Sequence, residues 1–324
     1  MSHGLRLGID IGGTKTAAAI LHPDGTLAAL RTAAPGYGPG EVLGVATELA
    51  REALGTVDPG LVEPVAGACM PGLVDPVAGT VRHAVNLGIE VLDLQDGLQR
   101  GLGLQFSVEN DVKAAALGAD RLLRQRSMGQ VWDTVAYLNI GTGLAAAIVH
   151  RGRVLRGPDG VVGEIGHLPV GGAVPCTCGQ VGCLETIASG SALQRLWPTE
   201  HRGGDDPFAA ARAGDEVARR AAATLCRGIG LALQTLVLTS GAQRIVIGGG
   251  LASLGPALEE GLRSHLGRAA AASDFVASLN LGTRFELLPS DVPVAALGAA
   301  LLPHRGPAAP WHPDTWQAGT GAQT

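Results

Sequence analysis

Between Gly163 and Glu185 the chain reads GEIGHLPVGGAVPCTCGQVGCLE, a stretch whose glycines and prolines forbid one continuous helix or strand. It carries His167, Cys176, Cys178 and Cys183 within a few turns of backbone. Three sulfurs and one imidazole match the Cys₃His set of a tetrahedral Zn²⁺, a closed site that holds a loop and leaves no open position for chemistry. A local disulfide fits less well. Cys-Thr-Cys is too tight for an easy bridge, and nothing else in the chain has the character of a secreted protein.

Two carboxylates flank these ligands: Glu164, three residues before His167, and Glu185, two residues after Cys183. A loop pinned by a metal pins them too. Fixed carboxylates are suitable acceptors for sugar hydroxyls, because a site built to bond OH groups rejects ligands that lack them. Taken alone, each would read as solvated surface.

Elsewhere one pattern occurs twice. Leu5 to Ile11 is a short apolar strand that runs into Gly12-Gly13-Thr14-Lys15, followed by TAAAIL and the turn Pro23-Asp24-Gly25. Tyr137 to Leu155 repeats strand, glycine turn, strand, turn, strand, and AAAIL-His at Ala17–His22 is echoed by AAAIV-His at Ala145–His150. Similarity at a domain-sized separation implies a duplicated unit, not a solenoid. Neither GxxxxGK[ST] nor a helix-opening GxGxxG is present. A tight glycine turn still presents backbone N–H groups to phosphate, and Asp10 at the strand end can hold Mg²⁺ directly or through water.

Between the two hairpins, Glu41–Leu54 reads as an amphipathic helix and Val65–Asp75 as a buried strand that enters a Pro71-Gly72 turn. LQFSVEND ends a strand at Asn110-Asp111 and is followed by a strong helix former, which puts Asp111 at a helix N-terminus. Two readings stay open there: a simple N-cap, or a carboxylate that faces a cleft and accepts a hydroxyl proton. Glu185–Leu196 and Glu216–Leu238 read as helices. Arg244–Ala252 reads as a buried strand ending in Gly248-Gly249-Gly250, with a helix starting near Pro256.

The 324 residues, 46% hydrophobic, suffice for two cores. A net charge of −5 leaves no footprint for nucleic acid or an anionic membrane. No apolar stretch reads as approaching the roughly 20 residues of a membrane span. Cys69 and Cys226 read as free buried thiols, a pattern that suits a reducing cytoplasm.

The segment GEIGH followed by CTCGQVGCLE resembles the signature of the ROK family (repressors, open reading frames and sugar kinases), and Asp10–Lys15 resembles that family's first phosphate loop. The resemblance implies an α/β, two-domain actin-like ATPase fold of the hexokinase kind with a central cleft and a structural zinc loop. It spans roughly residues 5 to 303. The smaller domain is expected at 1–115 and the larger at 116–303, with a last helix (Val292–Leu302) that packs back on the first domain and a poorly ordered tail at 304–324. By resemblance the activity is ATP-dependent phosphorylation of a hexose hydroxyl, with glucose to glucose 6-phosphate the leading case. N-acetylglucosamine, N-acetylmannosamine, mannose or fructose are alternatives. Asp111 would be the base, and Gly72, Asn86, Asn110, Glu164, His167 and Glu185 would contact the sugar. Asp10, Gly12, Gly13, Thr14, Lys15, Gly141, Thr142 and Gly143 would face the phosphates, and Gly248, Gly249 and Gly250 the adenosine. Zn²⁺ would be structural and Mg²⁺ would arrive with ATP. Ala145 and Ala147 stand where the second phosphate loop commonly has further glycines, and Gly88 stands where an aromatic usually follows Asn86-Leu87. A homodimer or homotetramer is expected. A sugar-responsive repressor would need a helix-turn-helix ahead of Asp10, where only nine residues stand; a sugar sensor without catalysis is the other rival.

Overall fold

The computed structural model describes residues 4–127, 130–198 and 206–302; the tail from His304 lies outside the described residues. Strands β1 (Arg6–Ile11), β2 (Thr16–Leu21) and β3 (Leu27–Ala33) form an antiparallel meander. Every residue of β2 is buried, its apolar run Ala17–Leu21 together with Thr16, as expected when both faces of a sheet are covered. Helix α1 (Pro39–Leu54) buries Val42, Ala46, Leu49, Ala50 and Ala53 at helical spacing. Next come β4 (Val65–Met70), a small antiparallel sheet of β5 (Leu73–Asp75), β6 (Thr80–Ala84) and β7 (Ile89–Asp93), then α2 (Leu94–Leu102) and β8 (Gln105–Asn110). Because β4 and β8 add in parallel beside β1, the sheet order is β3-β2-β1-β4-β8.

Helix α3 (Asp111–Arg126) leads into the second half. There β9 (Thr134–Ile140), β10 (Leu144–His150) and β11 (Arg153–Val154) repeat the meander. After the Cys/His loop come α4 (Gly190–Leu196), α5 (Pro207–Arg212), α6 (Glu216–Ser240), β12 (Arg244–Gly248), α7 (Gly255–Ala272), α8 (Asp274–Ser278), α9 (Leu281–Arg284), β13 (Phe285–Leu287) and α10 (Val294–Ala299). The second sheet runs β11-β10-β9-β12-β13, the order of the first. The echo between Ala17–His22 and Ala145–His150 is therefore an echo between equivalent strands.

Some expected boundaries shift for local reasons. The strand expected over Val65–Asp75 breaks at Pro71, which has no N–H for the ladder, and resumes as β5. The helix expected from Glu185 is a short 3₁₀ turn, Leu184–Thr186; the α-helix begins at Gly190, where the Ser189 hydroxyl accepts from the Ala192 amide. Helix α6 meets the length and apolarity of a membrane span, contrary to the expectation of none. However, 61% of its apolar window is buried inside the fold, so packing accounts for its composition.

Helix α10 lies across β1, β4 and α3 at glycine contacts. A Cβ at Gly8 would strike the Ala296 carbonyl, one at Gly67 the Ala299 carbonyl, and one at Gly298 the Ala114 carbonyl. Only hydrogen fits between these backbones. Gly298→Ala is therefore expected to lower stability by about 2 kcal/mol, although alanine is the better helix former. Urea unfolding checks this, and an unchanged midpoint would mean that α3 and α10 separate freely.

Candidate active site

The site is organised where β8 ends and α3 starts. The Asn110 side chain is the helix cap: its Oδ1 accepts from the Val112 and Lys113 amides at 3.1 and 3.2 Å, and its Nδ2 donates to the Gly72 carbonyl at 3.4 Å. The capping alternative for Asp111 is thereby corrected. Asp111 takes the first helical position, where its Oδ1 accepts from the Val112 amide at 2.9 Å. Burial pushes the Asp111 carboxyl above its ordinary range and the nearby Glu164 charge adds to this, while backbone amides and Lys113 pull the other way.

Two cavities are lined by residues of this junction. The larger, about 620 Å³, is lined by Gly72, Asn110, Lys113, Arg156, Glu164 and His167 among others. The smaller, about 190 Å³, is lined by Asp10, Gly12, Lys15, Asp111, Asn139 and Gly249 among others. Consecutive residues Asn110 and Asp111 thus serve different cavities. Burial first, and the Asp111 charge second, push the Asp10 carboxyl up to about 7, against a hydrogen bond from the Cys69 thiol and the Lys15 charge.

The expected nucleotide-side residues are placed as follows. Gly12 donates to the Lys15 carbonyl at 2.9 Å, and Gly13, Thr14 and Lys15 are exposed on the turn. Gly249, in the left-handed region at φ 85°, sits so close to Ile140 that a Cβ would lie 2.6 Å from its main chain. Gly248 abuts the Tyr137 ring, and Gly250 opens a 3₁₀ turn with open space around it. In the second turn, the Gly141 and Thr142 carbonyls accept from the amides of Gly190 and Ser191 at the start of α4. Gly143 lies under the Glu185 carboxylate, at 2.6 Å from where a Cβ would stand.

Of the expected sugar contacts, Gly72, Asn110, Glu164 and His167 line the larger cavity. Asn86 lies over the first glycine turn, 3.5 Å from where a Gly13 Cβ would be. Glu185 is turned toward the second turn and the cysteines: its Oε2 accepts from the Leu144 amide at 3.2 Å and its Oε1 lies 3.3 Å from Cys176 Sγ. Sequence reasoning did not single out Asn139, Lys113, or the Glu109–Arg156 pair. Arg156 Nε donates to Glu109 Oε2 at 2.7 Å, and Glu109 Oε1 accepts from the Asn110 amide at 2.9 Å. No sequence pattern links positions 109 and 156; only the apposition of the two halves does.

The Cys/His loop brings its four donor atoms within 4.8 Å of one another. Cys178 and Cys183 sulfurs are 3.6 Å apart, and Cys176 Sγ and His167 Nδ1 are 3.7 Å apart. Ligands about 2.3 Å from one tetrahedral ion would sit about 3.8 Å apart, so the residues fit a metal. All three cysteines are free thiols. The Gln180 backbone amide brings the Cys178 thiol down to about 6, whereas desolvation pushes Cys183 up to about 12. A dication would stabilise all three as thiolates.

Asp10 sets a pH test. Its folded value of about 7 lies above its ordinary 3.8, so the fold holds a proton that the unfolded chain releases. Stability attached to Asp10 is present below pH about 4 and is lost as pH rises through about 7. Asp10→Asn should flatten that decline, with the gain in melting temperature over wild type largest above pH 7. An equal gain at pH 4 and pH 8 would remove Asp10 as its source.

Comparison with known proteins places the chain. It is 34% identical over 205 residues to a glucokinase of Halalkalibacterium halodurans, a match that takes in 57% of this chain and 61% of that relative, less than two thirds of its length. It is 30% identical over 253 residues to an N-acetylmannosamine kinase of Escherichia coli, covering 75% and 82% of the two chains. The structure of a ROK family glucokinase from Streptomyces griseus in complex with glucose and AMPPNP superposes with a TM-score of 0.73 at 28% identity, over 92% of this chain and 99% of that one. Two α/β halves with one repeated sheet plan make this an actin-like ATPase fold. The ROK family model matches residues 6–302, nearly the whole described core, and the chain belongs to the ROK family.

Proposed function

We propose that this protein is an ATP-dependent sugar kinase that moves the γ-phosphoryl group of ATP to a hexose hydroxyl, with the 6-hydroxyl of glucose as the first candidate. The observation that carries this reading is the division at the start of α3, where Asn110 lines the cavity shared with Glu164 and His167, and Asp111 lines the cavity shared with Asp10 and Lys15. An alcohol held in the first cavity and a triphosphate in the second would meet at the Asp111 carboxylate. The hydroxyl oxygen forms the new bond to the γ-phosphorus, the bond to the ADP oxygen breaks, and the hydroxyl proton passes to Asp111. A carboxyl held above its ordinary range suits a general base working near neutral pH.

In this reading Gly72, Asn110, Glu164 and His167, which line the larger cavity, hold the sugar, and the family resemblance adds Asn86 and Glu185. Gly12, Gly13, Thr14, Lys15 and Gly141–Gly143 hold the phosphates, and Gly248–Gly250 flank the adenosine. Asp10 would be the residue to hold the Mg²⁺ that arrives with ATP, directly or through water, and the ion would supply neutralisation of phosphate charge. Zn²⁺ on His167, Cys176, Cys178 and Cys183 is structural. With Nδ1 of His167 facing Cys176, the other ring nitrogen is left for a hydroxyl. Similarity to an N-acetylmannosamine kinase keeps an N-acylated hexose as a second reading of the substrate.

Coupled measurement of ADP release against glucose, mannose, fructose, N-acetylglucosamine and N-acetylmannosamine tests the activity and names the sugar. No turnover with any of them would favour a sugar sensor. Asp111→Asn should cut turnover by about 10²- to 10⁴-fold while sugar still binds; a near-normal rate would remove Asp111 from the base role. Metal analysis should find about one zinc per chain, lost together with thermal stability in Cys178→Ala. An active, equally stable protein free of zinc would contradict the structural role.

A further inference from the structure

We propose that Lys113 is a substrate-binding residue whose ammonium donates hydrogen bonds to sugar oxygens in the larger cavity and so helps to decide which sugar is accepted. The proposal rests on the kinase reading for the identity of the ligand, but its observations stand on their own. Lys113 is a lysine only 5% exposed, on the first turn of α3, and its backbone is held by the Asn110 cap. It lines the 620 Å³ cavity. No hydrogen bond or ion pair to its ammonium is found among the described residues, nor is the ammonium among the sealed, unsatisfied polar atoms of the fold. A side chain so buried that also lines a cavity has that cavity as the place where its ammonium can find partners.

The neighbouring carboxylates do not satisfy it. Glu109 is occupied by Arg156 and by the Asn110 amide. Asp111 feels the Lys113 charge but no hydrogen bond joins them; its carboxylate accepts from the Val112 amide and lines the smaller cavity. A buried ammonium without acceptors is strongly unfavourable, so what fills the cavity, water or ligand, supplies them. The ammonium is three donors and no acceptor. Glu164 on the same cavity, when ionised, is acceptor only. A hydroxyl is both at once: it can donate to Glu164 while it accepts from Lys113. Fixed donors and fixed acceptors around one space select a polyhydroxylated ligand, and their spacing selects among epimers. An anionic ligand is disfavoured, since Asp75, Asp159 and Glu164 line the same cavity and Arg156 is already paired.

The test compares wild type with Lys113→Met and Lys113→Gln. The sugar best accepted by the wild type is used alongside its 2-, 3- and 4-deoxy analogues, with KM for sugar and for ATP measured separately and melting curves run on each variant. Loss of a charged hydrogen bond should raise the sugar KM by about 10- to 100-fold, with the ATP KM within about twofold. A direct contact predicts coupling: one deoxy analogue that the wild type handles poorly should be no worse than the parent sugar for Lys113→Met. An unchanged sugar KM in a folded variant, or penalties for every deoxy analogue that match the wild type's, would overturn the assignment. If the wild type phosphorylates none of the sugars, the kinase reading fails separately. Calorimetric titration of the same sugars into wild type and Lys113→Gln then decides the Lys113 contact, and equal affinity overturns it.

Discussion

Two backbone amides, those of Val112 and Lys113, are held by one asparagine oxygen, and the geometry of the site follows from that bond. An N-cap of this kind is worth about 1 kcal/mol, a modest share of the stability of the fold. Its larger consequence is directional. With Asn110 serving as the cap, the chain turns from β8 into α3 so that adjacent side chains enter different cavities. Glu109 locks the turn from the strand side, accepting from the Asn110 amide with one oxygen and from Arg156 of the second half with the other. One strand end therefore fixes both the proposed base and the wall against which a sugar would lie.

The two halves are joined by more than that ion pair. Helix α10 follows the last strand of the second sheet yet packs on β1 and β4 of the first, and on α3, which itself lies against β9 and β10, through contacts that only glycine permits. Close backbone contact of this sort transmits displacement, because a packed interior has little room to yield. A shift at the smaller cavity, which α10 borders through Val294 and Ala295, would therefore be felt in both halves.

The Cys/His loop is a second anchor, reaching the larger cavity through His167. Its residues satisfy one another locally: Leu184 donates to the Leu168 carbonyl and Val170 to the Gly182 carbonyl. His167 belongs to both the donor cluster and the cavity lining. Glu185 joins the loop to the second glycine turn by accepting from the Leu144 amide. Donor cluster, carboxylate and turn are thus linked through Glu185, and a metal held by the cluster would tie all three together.

Local chemistry was legible in the sequence. The ligand spacing from His167 to Cys183, the paired glycine turns, and Asp111 at a helix start each follow from interactions between residues near in the chain, which sequence spacing encodes directly. The ends of elements were less so. The helix expected from Glu185 gave way to a turn, with the α-helix starting only behind the Ser189 cap, while the Glu185 carboxylate bonds an amide 41 positions away. What the tertiary structure alone decided was apposition: that Arg156 reaches Glu109, that Lys113 is buried in a cavity wall, and that α10 returns to the first sheet. Those outcomes depend on which buried surfaces meet and on what each buried charge finds opposite it. Such quantities arise only when distant segments are brought into contact, so no local pattern carries them.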